Sequence, residues 1–224
     1  MKKNKKYIFL VGVPGSRWGR IESMLYQLNS DLIDVSCKSP HQQDHPEHGT
    51  QHIYTFWGPY HEHGDQFDRL DLLGPQEVMR QIDLAYDDND PRPYRVIRCH
   101  WFSYQLDWIR ENMPWVDILM VFREPEMSYR WWIESGGWDI SYPNYAWYGT
   151  DQVLRRQIMV EHKLMMKFAR EQGLKQTHHL GKALEWFDNF MPEMSRTFKH
   201  QNLKSNPLDD TMWPVLFRGT GNTQ

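Results

Sequence analysis

The residues best suited to chemistry follow the first apolar run of the chain, residues 7–11. The turn at residues 12–19 holds three glycines and a proline, and such a turn lets several backbone N–H groups face one bound anion. A helix that begins there adds its dipole, and Arg17 or Arg20 can add a charge-assisted hydrogen bond. The stretch predicts an anion-binding loop, with an ordinary strand-turn-helix connection as the alternative.

A histidine stands at the end of a second apolar run. His100 follows residues 94–99, and it can accept a proton from a substrate hydroxyl because the ordinary pKa of histidine lies near neutrality. His100 is therefore a candidate general base. The alternative is a histidine that is hydrogen-bonded into a loop and has no chemical role.

An arginine ends a third apolar run, residues 116–122. Arg123 precedes a helix that carries Ser128 in its first turns, and a guanidinium, a hydroxyl and a helix N-terminus together suit a phosphate group. A chain of this layout that binds ATP or GTP normally places a magnesium-binding Asp at this strand end. The alternative is a surface pair of Arg123 with Glu124.

The elements that must position these residues alternate between strands and helices. Such alternation predicts an α/β fold of three α/β/α layers with a central parallel sheet, whose ligands bind at the carboxyl ends of the strands. The predicted strands are residues 7–11, 31–37, 94–99 and 116–122, and the predicted helices are residues 18–27, from 74 onwards, 103–113, 125–134 and 151–172.

One domain is predicted for the whole chain, residues 1–224, because 224 residues with 40% hydrophobic content can bury a single large core. Residues 38–73 are polar and too long for a plain connection, which predicts a lid or an acceptor-binding loop. His48 and His52 have the spacing of a helical zinc site, but Pro46 and Gly49 disfavour a helix there. No metal site is predicted.

The bulk composition excludes several kinds of partner. The formal net charge is −3 and the pI about 6.4, so neither nucleic acid nor an anionic membrane is an expected partner. No apolar run reaches the length of a membrane helix. Two cysteines without a CxxC pair favour a reducing, cytoplasmic setting.

The three strand ends together resemble those of the sulfotransferases that use 3'-phosphoadenosine 5'-phosphosulfate. In that family a Pro-Lys-Ser-Gly-Thr-Thr-like loop binds the 5'-phosphosulfate, a Lys-Thr-His sequence supplies the catalytic base, and an Arg-x-Pro sequence followed by a serine binds the 3'-phosphate. The matching stretches are Pro14-Gly15-Ser16-Arg17-Trp18-Gly19, Arg98-Cys99-His100 and Arg123-Glu124-Pro125.

The resemblance implies a P-loop-like fold and the transfer of a sulfuryl group from this donor to a hydroxyl or amine of a small-molecule or glycan acceptor. It implies that His100 is the base and that Arg17 or Arg20 stabilises the transferring group. The implied nucleotide-binding residues are Pro14, Gly15, Ser16, Arg17, Trp18, Gly19, Arg20, Arg123 and Ser128, with Arg218 and Gly219 in a weaker match to a C-terminal Arg-Lys-Gly-x-x-Gly segment.

This chain departs from the family pattern at two positions. Gly15 replaces the loop lysine, which would leave the missing charge to Arg17 or Arg20. The family serine lies eight residues beyond the arginine, where this chain has Trp131, whereas Ser128 lies five beyond it. A phosphotransferase with an altered phosphate loop and a non-catalytic nucleotide-binding relative are the alternative functions.

Overall fold

The computed structural model describes residues 5–19, 21–22, 25, 31–37, 67–137, 149–174 and 212–219. Among the predictions from the sequence, those for Arg20, for the histidine-rich stretch 41–63 and for most of the loop 38–73 lie outside these residues.

The fold is built on a sheet in which three strands are parallel. Strand β1 is Lys6–Gly12, β2 is Tyr94–Arg98 and β3 is Asp117–Arg123. β1 lies in the centre and pairs with β2 and β3 in parallel, with Ile8 opposite Val96 and Leu10 opposite Leu119. The predicted α/β class and its parallel strands are confirmed by this arrangement.

The sheet also has an antiparallel edge that the sequence did not predict. Strand β4, Met212–Phe217, pairs with β3 and gives the strand order β2-β1-β3-β4. Pro214 lies within it, and proline is tolerated in strands mainly at sheet edges because it cannot donate a ladder hydrogen bond.

Helices cover the sheet and follow the predicted positions closely. They are α1 (Leu70–Leu73), α2 (Pro75–Leu84), a 3-10 helix (His100–Tyr104), α3 (Leu106–Asn112), α4 (Pro125–Glu134) and α5 (Asp151–Glu171). The described residues of segment 18–25 are helical as well. α2 and α4 both begin with proline, which suits the first helical position because its missing N–H has no partner to lose there.

The sequence predicts capping residues at the starts of two helices, Thr150 before the helix 151–172 and Ser103 at the start of the helix 103–113, because Ser and Thr are favoured caps. The Thr150 hydroxyl accepts a hydrogen bond from the N–H of Val153 at 3.3 Å, which confirms it as the cap of α5. The prediction for Ser103 is wrong. Its hydroxyl donates to the carbonyl of His100 at 2.8 Å, so it stabilises the 3-10 helix, and α3 starts three residues later.

The predicted strand at residues 31–37 is reduced to one bridge between Ile33 and Tyr94. Buried ion pairs hold this segment where a strand ladder would otherwise do so. The Asp34 carboxylate accepts hydrogen bonds from Arg95 at 2.9 Å and from Lys5 at 3.0 Å. A buried carboxylate needs hydrogen-bonded or charged partners beside it. The contacts of Asp34 therefore fix the chain at this point without a regular strand ladder.

The last residues of the predicted loop 38–73 contain helix α1, and two side chains of residues 67–73 lie in the packed core. Phe67 and Leu70 are fully buried. The Gln105 side chain donates to the carbonyl of Phe67 and accepts from the N–H of Leu70 at 2.8 and 2.7 Å.

Among the described helices, none is long and apolar enough to cross a membrane.

Candidate functional site

The carboxyl ends of the three parallel strands bring the predicted residues to one edge of the sheet. β1 ends at Gly12, β2 at Arg98 and β3 at Arg123. The turn after β1, the 3-10 helix that starts at His100 and the N-terminus of α4 therefore lie side by side.

The turn after β1 packs closely against α4. Ser16 donates its N–H to the carbonyl of Val13 at 3.0 Å, and Gly15 adopts a left-handed φ of 74°. A Cβ atom at Gly15 would lie 1.8 Å from the carbonyl oxygen of Ser128. Gly15 is thus required by both backbone conformation and space, and this explains why a lysine does not occupy the position.

Two arginine side chains lie near the same aromatic ring beside this turn. The Arg123 guanidinium donates to the carbonyl of Gly15 at 3.2 Å and lies 5.8 Å from the centroid of the Trp131 ring. The Arg17 guanidinium lies 4.3 Å from the same centroid. Cation-π attraction holds both cations near Trp131, so the edge carries concentrated positive charge.

Two serine hydroxyls are buried at this edge. The Oγ atoms of Ser16 and Ser128 have no hydrogen-bond partner within the part of the chain that the structure describes, and both residues are 0% exposed. Leaving a buried hydroxyl unpaired costs about 1–3 kcal/mol. An oxyanion bound at this edge is the kind of partner that would remove that cost.

His100 is buried against the turn. Its Nδ1 lies 3.2 Å from the carbonyl oxygen of Gly12, and because a carbonyl only accepts, Nδ1 carries the hydrogen and Nε2 the lone pair. The pKa of His100 is lowered to about 3, chiefly by burial and also by the charge of Arg98, while the bond to Gly12 acts to raise it. The imidazole is therefore neutral at physiological pH.

The ring of Trp18 packs against the ring of His100. The two ring centroids are 4.4 Å apart, and the Arg98 guanidinium lies 5.4 Å from the Trp18 ring. Arg98 also pairs with Glu22 at 3.1 Å. A Cβ at Gly19 would lie 2.8 Å from the Arg98 guanidinium, so glycine lets the helix pass close to this ion pair.

The structure brings most of the predicted residues together and separates two of them. Pro14, Gly15, Ser16, Arg17, Trp18 and Gly19 form the turn and the start of its helix, with His100, Arg123 and Ser128 around it. Arg218 and Gly219 are a correction. Since β4 is antiparallel, they follow it at the opposite edge, where the N–H of Gly219 donates to Asp117 at 2.8 Å. They are not part of this site.

Trp131 is the residue of this edge that the sequence did not reveal as functional. In the comparison with the sulfotransferase pattern it is the residue found where the family has a serine. A signal was present in its spacing, because residues three apart on a helix share a face, and Trp131 lies three residues after Ser128. Glu22 was also not predicted as part of this edge, because a charged residue on a helix normally faces solvent.

The described residues contain no cluster of side chains suited to a metal ion. No group of three or more His, Cys, Asp or Glu side chains is placed there to hold a metal ion. Neither cysteine forms a disulfide; Cys99 is buried and Cys37 half-buried.

The fold and this edge define an α/β protein with a glycine-containing turn, buried serine hydroxyls and two arginines at the carboxyl ends of parallel strands. Comparison of the chain with protein-family models, with curated proteins and with solved structures found no match.

Proposed function

We propose that this protein is a sulfotransferase that moves a sulfuryl group from 3'-phosphoadenosine 5'-phosphosulfate to a hydroxyl or amine acceptor. The observation that carries the proposal is the grouping of Arg17, Arg123 and the buried hydroxyls of Ser16 and Ser128 around the turn at Gly15. Phosphate and sulfate oxygens accept hydrogen bonds from all four side chains, and guanidinium groups bind them in a fixed geometry.

The donor would occupy this edge through its two charged ends. The turn and Arg17 stabilise the transferring group, while Arg123 and Ser128 bind the 3'-phosphate at the start of α4. The helix N-terminus favours negative charge there. Arg17 or Arg20 is the proposed source of the loop charge, and Trp18 or Trp57 is the proposed stacking partner of the adenine ring; Arg20 and Trp57 lie outside the described residues.

The choice of donor follows from the end of β3. A nucleoside triphosphate is normally bound through a magnesium ion that an Asp at this strand end helps to hold. Arg123 is buried there, with 3% of its surface exposed. It supplies a positive charge directly, which suits the 3'-phosphate of this donor and disfavours a metal ion.

The transfer itself needs positioning and a base. The bond from sulfur to the donor phosphate oxygen breaks as a bond to the acceptor oxygen or nitrogen forms, and the acceptor proton passes to Nε2 of His100. Without the donor, the low pKa of His100 makes it a weak base. Negative charge on a bound donor raises that pKa, because an opposite charge favours the imidazolium, and the base is then strongest when the donor is present.

A ligand panel in thermal-shift measurements tests this function. Adenosine 3',5'-bisphosphate should raise the melting temperature without magnesium, and by more than adenosine 5'-monophosphate does, since only the bisphosphate has a 3'-phosphate for Arg123. Stabilisation by ATP with magnesium and none by the bisphosphate would replace the proposal with a phosphotransferase.

A further inference from the structure

Trp131 stands where two cationic side chains converge. It lies on α4, one turn beyond Ser128, and is half-buried. The guanidinium carbons of Arg17 and Arg123 lie 4.3 and 5.8 Å from the centroid of its ring. These arginines come from different elements, the turn after β1 and the end of β3, so Trp131 joins the two halves of the edge.

The backbone at Arg17 is strained. Its φ is 62°, and a non-glycine residue in this left-handed region costs roughly 1–2 kcal/mol. Such strain persists where the surroundings determine it, and it often marks a functional site. The contact with Trp131 favours this conformation, because stacking a guanidinium on an indole recovers a comparable free energy.

Two like charges near one ring also favour the binding of an anion. The arginines repel each other, and the ring quadrupole offsets part of that repulsion. An oxyanion between or beside them would offset more. Because the arginines are already held, less side-chain entropy is lost when they bind.

We propose that Trp131 is a positioning residue that holds Arg17 and Arg123 as a pair, so that the two bind phosphate or sulfate ester groups cooperatively. The inference deepens the proposed function and, for the nucleotide donor, rests on it. Trp131 replaces the serine that the resemblance implies at this position. It acts on the ligand through the arginines and makes no contact with the transferring group.

The test compares Trp131→Phe with Trp131→Leu. Phe keeps an aromatic face for the arginines, whereas Leu keeps an apolar side chain and removes the quadrupole. Ile133→Ala on the same helix is the control, because Ile133 is exposed and lies outside the edge. The probes are inorganic sulfate and adenosine 3',5'-bisphosphate, titrated against the whole chain by calorimetry.

Trp131→Phe should bind both probes within a few-fold of the wild type, and Trp131→Leu roughly ten-fold more weakly. Ile133→Ala should bind like the wild type. Equal affinities of the Phe and Leu variants would overturn the inference, because a purely structural role is served by either side chain.

A double-mutant cycle gives a second readout that needs no change at Trp131. Arg17→Ala and Arg123→Ala should each weaken sulfate binding, and their effects should be non-additive because each arginine depends on the pair. Additive effects would overturn the cooperative role.

The two probes separate this inference from the proposed function. If sulfate binding follows the predicted order but the bisphosphate does not bind, Trp131 keeps its role and the nucleotide donor is wrong. If the wild type binds neither probe, both proposals fall.

Discussion

At the scale of single residues, the glycine at position 15 has a steric cause. Gly15 combines a positive φ with the close approach of the Ser128 carbonyl, and no side chain fits there. Positive charge beside the turn comes instead from Arg17 and Arg123, whose guanidinium groups both lie near the Trp131 ring.

Gly15→Ala should destabilise the protein by more than about 2 kcal/mol, because the new methyl group meets backbone that cannot move aside cheaply. Gly173→Ala is the matched control. Gly173 has a similar φ of 63° but no atom within 4 Å of its added Cβ, so it should lose only about 1 kcal/mol. Urea unfolding measures both, and equal losses would show that space at Gly15 is not limiting.

At the scale of elements, the sequence predicted the strands and helices whose apolar pattern is continuous. β1 and β3 are buried on both faces and were found from their unbroken apolar runs, and α5 was found from its stripe at Leu154, Ile158 and Met165. β4 was missed because a proline interrupts it and its pairing partner is distant in sequence. Residues 31–37 were predicted as a strand because Asp34 gave no sign of its buried partners.

The position of the candidate site could be predicted in part from the sequence. Its position followed from strand ends, a rule that needs only the parallel order of the strands. The place of Arg218 and Gly219 could not be predicted, because it depends on the antiparallel direction of β4. The role proposed for Trp131 depends on contacts between elements, which no local pattern of one helix reveals.

The buried stripe of α5 contains one carboxyl group, Glu161, which is 0% exposed. Gln157 donates to its Oε1 at 3.0 Å and also contacts the Tyr104 hydroxyl. Burial raises the pKa of Glu161 to about 8, although the bond from Gln157 lowers it. The native state therefore keeps a proton that the unfolded chain releases above its ordinary pKa of 4.5.

The contribution of Glu161 to stability should accordingly fall as the pH rises from about 4.5 to 8, because the native state keeps this proton and the unfolded state releases it. Below about pH 6.5 the lowered pKa of His100 opposes this fall, since there the unfolded chain binds a proton on His100 that the native state does not bind, so the net fall is expected above pH 6.5. Each unit of pKa difference is worth about 1.4 kcal/mol. Glu161→Gln should remove this slope, whereas Glu171→Gln, at an exposed position of the same helix, should retain it. Urea unfolding across the pH range measures the slopes, and an unchanged slope in Glu161→Gln would contradict the assignment.

At the scale of the whole molecule, the two edges of the parallel strands have different roles. The amino edge holds a buried ionic network in which Arg95 bonds Asp34 at 2.9 Å and Asp83 at 2.7 Å, while Lys5 bonds Asp34 at 3.0 Å. Each of these groups is paired, so the loss of any one of them would leave a buried charge without its partner. The carboxyl edge holds the strained backbone of Arg17, two serine hydroxyls that have no hydrogen-bond partner among the described residues, and the two arginines near Trp131.

Asp34→Ala should destabilise the protein by about 3–5 kcal/mol, because removing one partner leaves Arg95 and Lys5 buried without their shared carboxylate. Binding of adenosine 3',5'-bisphosphate to the folded fraction should not change. Asp71→Ala, which breaks the exposed pair with Arg69, should leave stability unaltered. A loss of ligand affinity in Asp34→Ala equal to that of a carboxyl-edge variant would contradict the separation of roles.

The central claim is that Arg123 binds the 3'-phosphate of the donor at the carboxyl edge. Calorimetric titration of adenosine 3',5'-bisphosphate without magnesium, on the wild type, Arg123→Ala and Arg130→Ala, tests it most directly. Arg130 is an exposed arginine on α4 that pairs with Glu126 at 3.2 Å, so its variant controls for net charge. We expect Arg123→Ala to weaken binding at least ten-fold, as for the loss of a charge-assisted bond, and Arg130→Ala to bind like the wild type. Equal affinity of Arg123→Ala and the wild type would contradict the account.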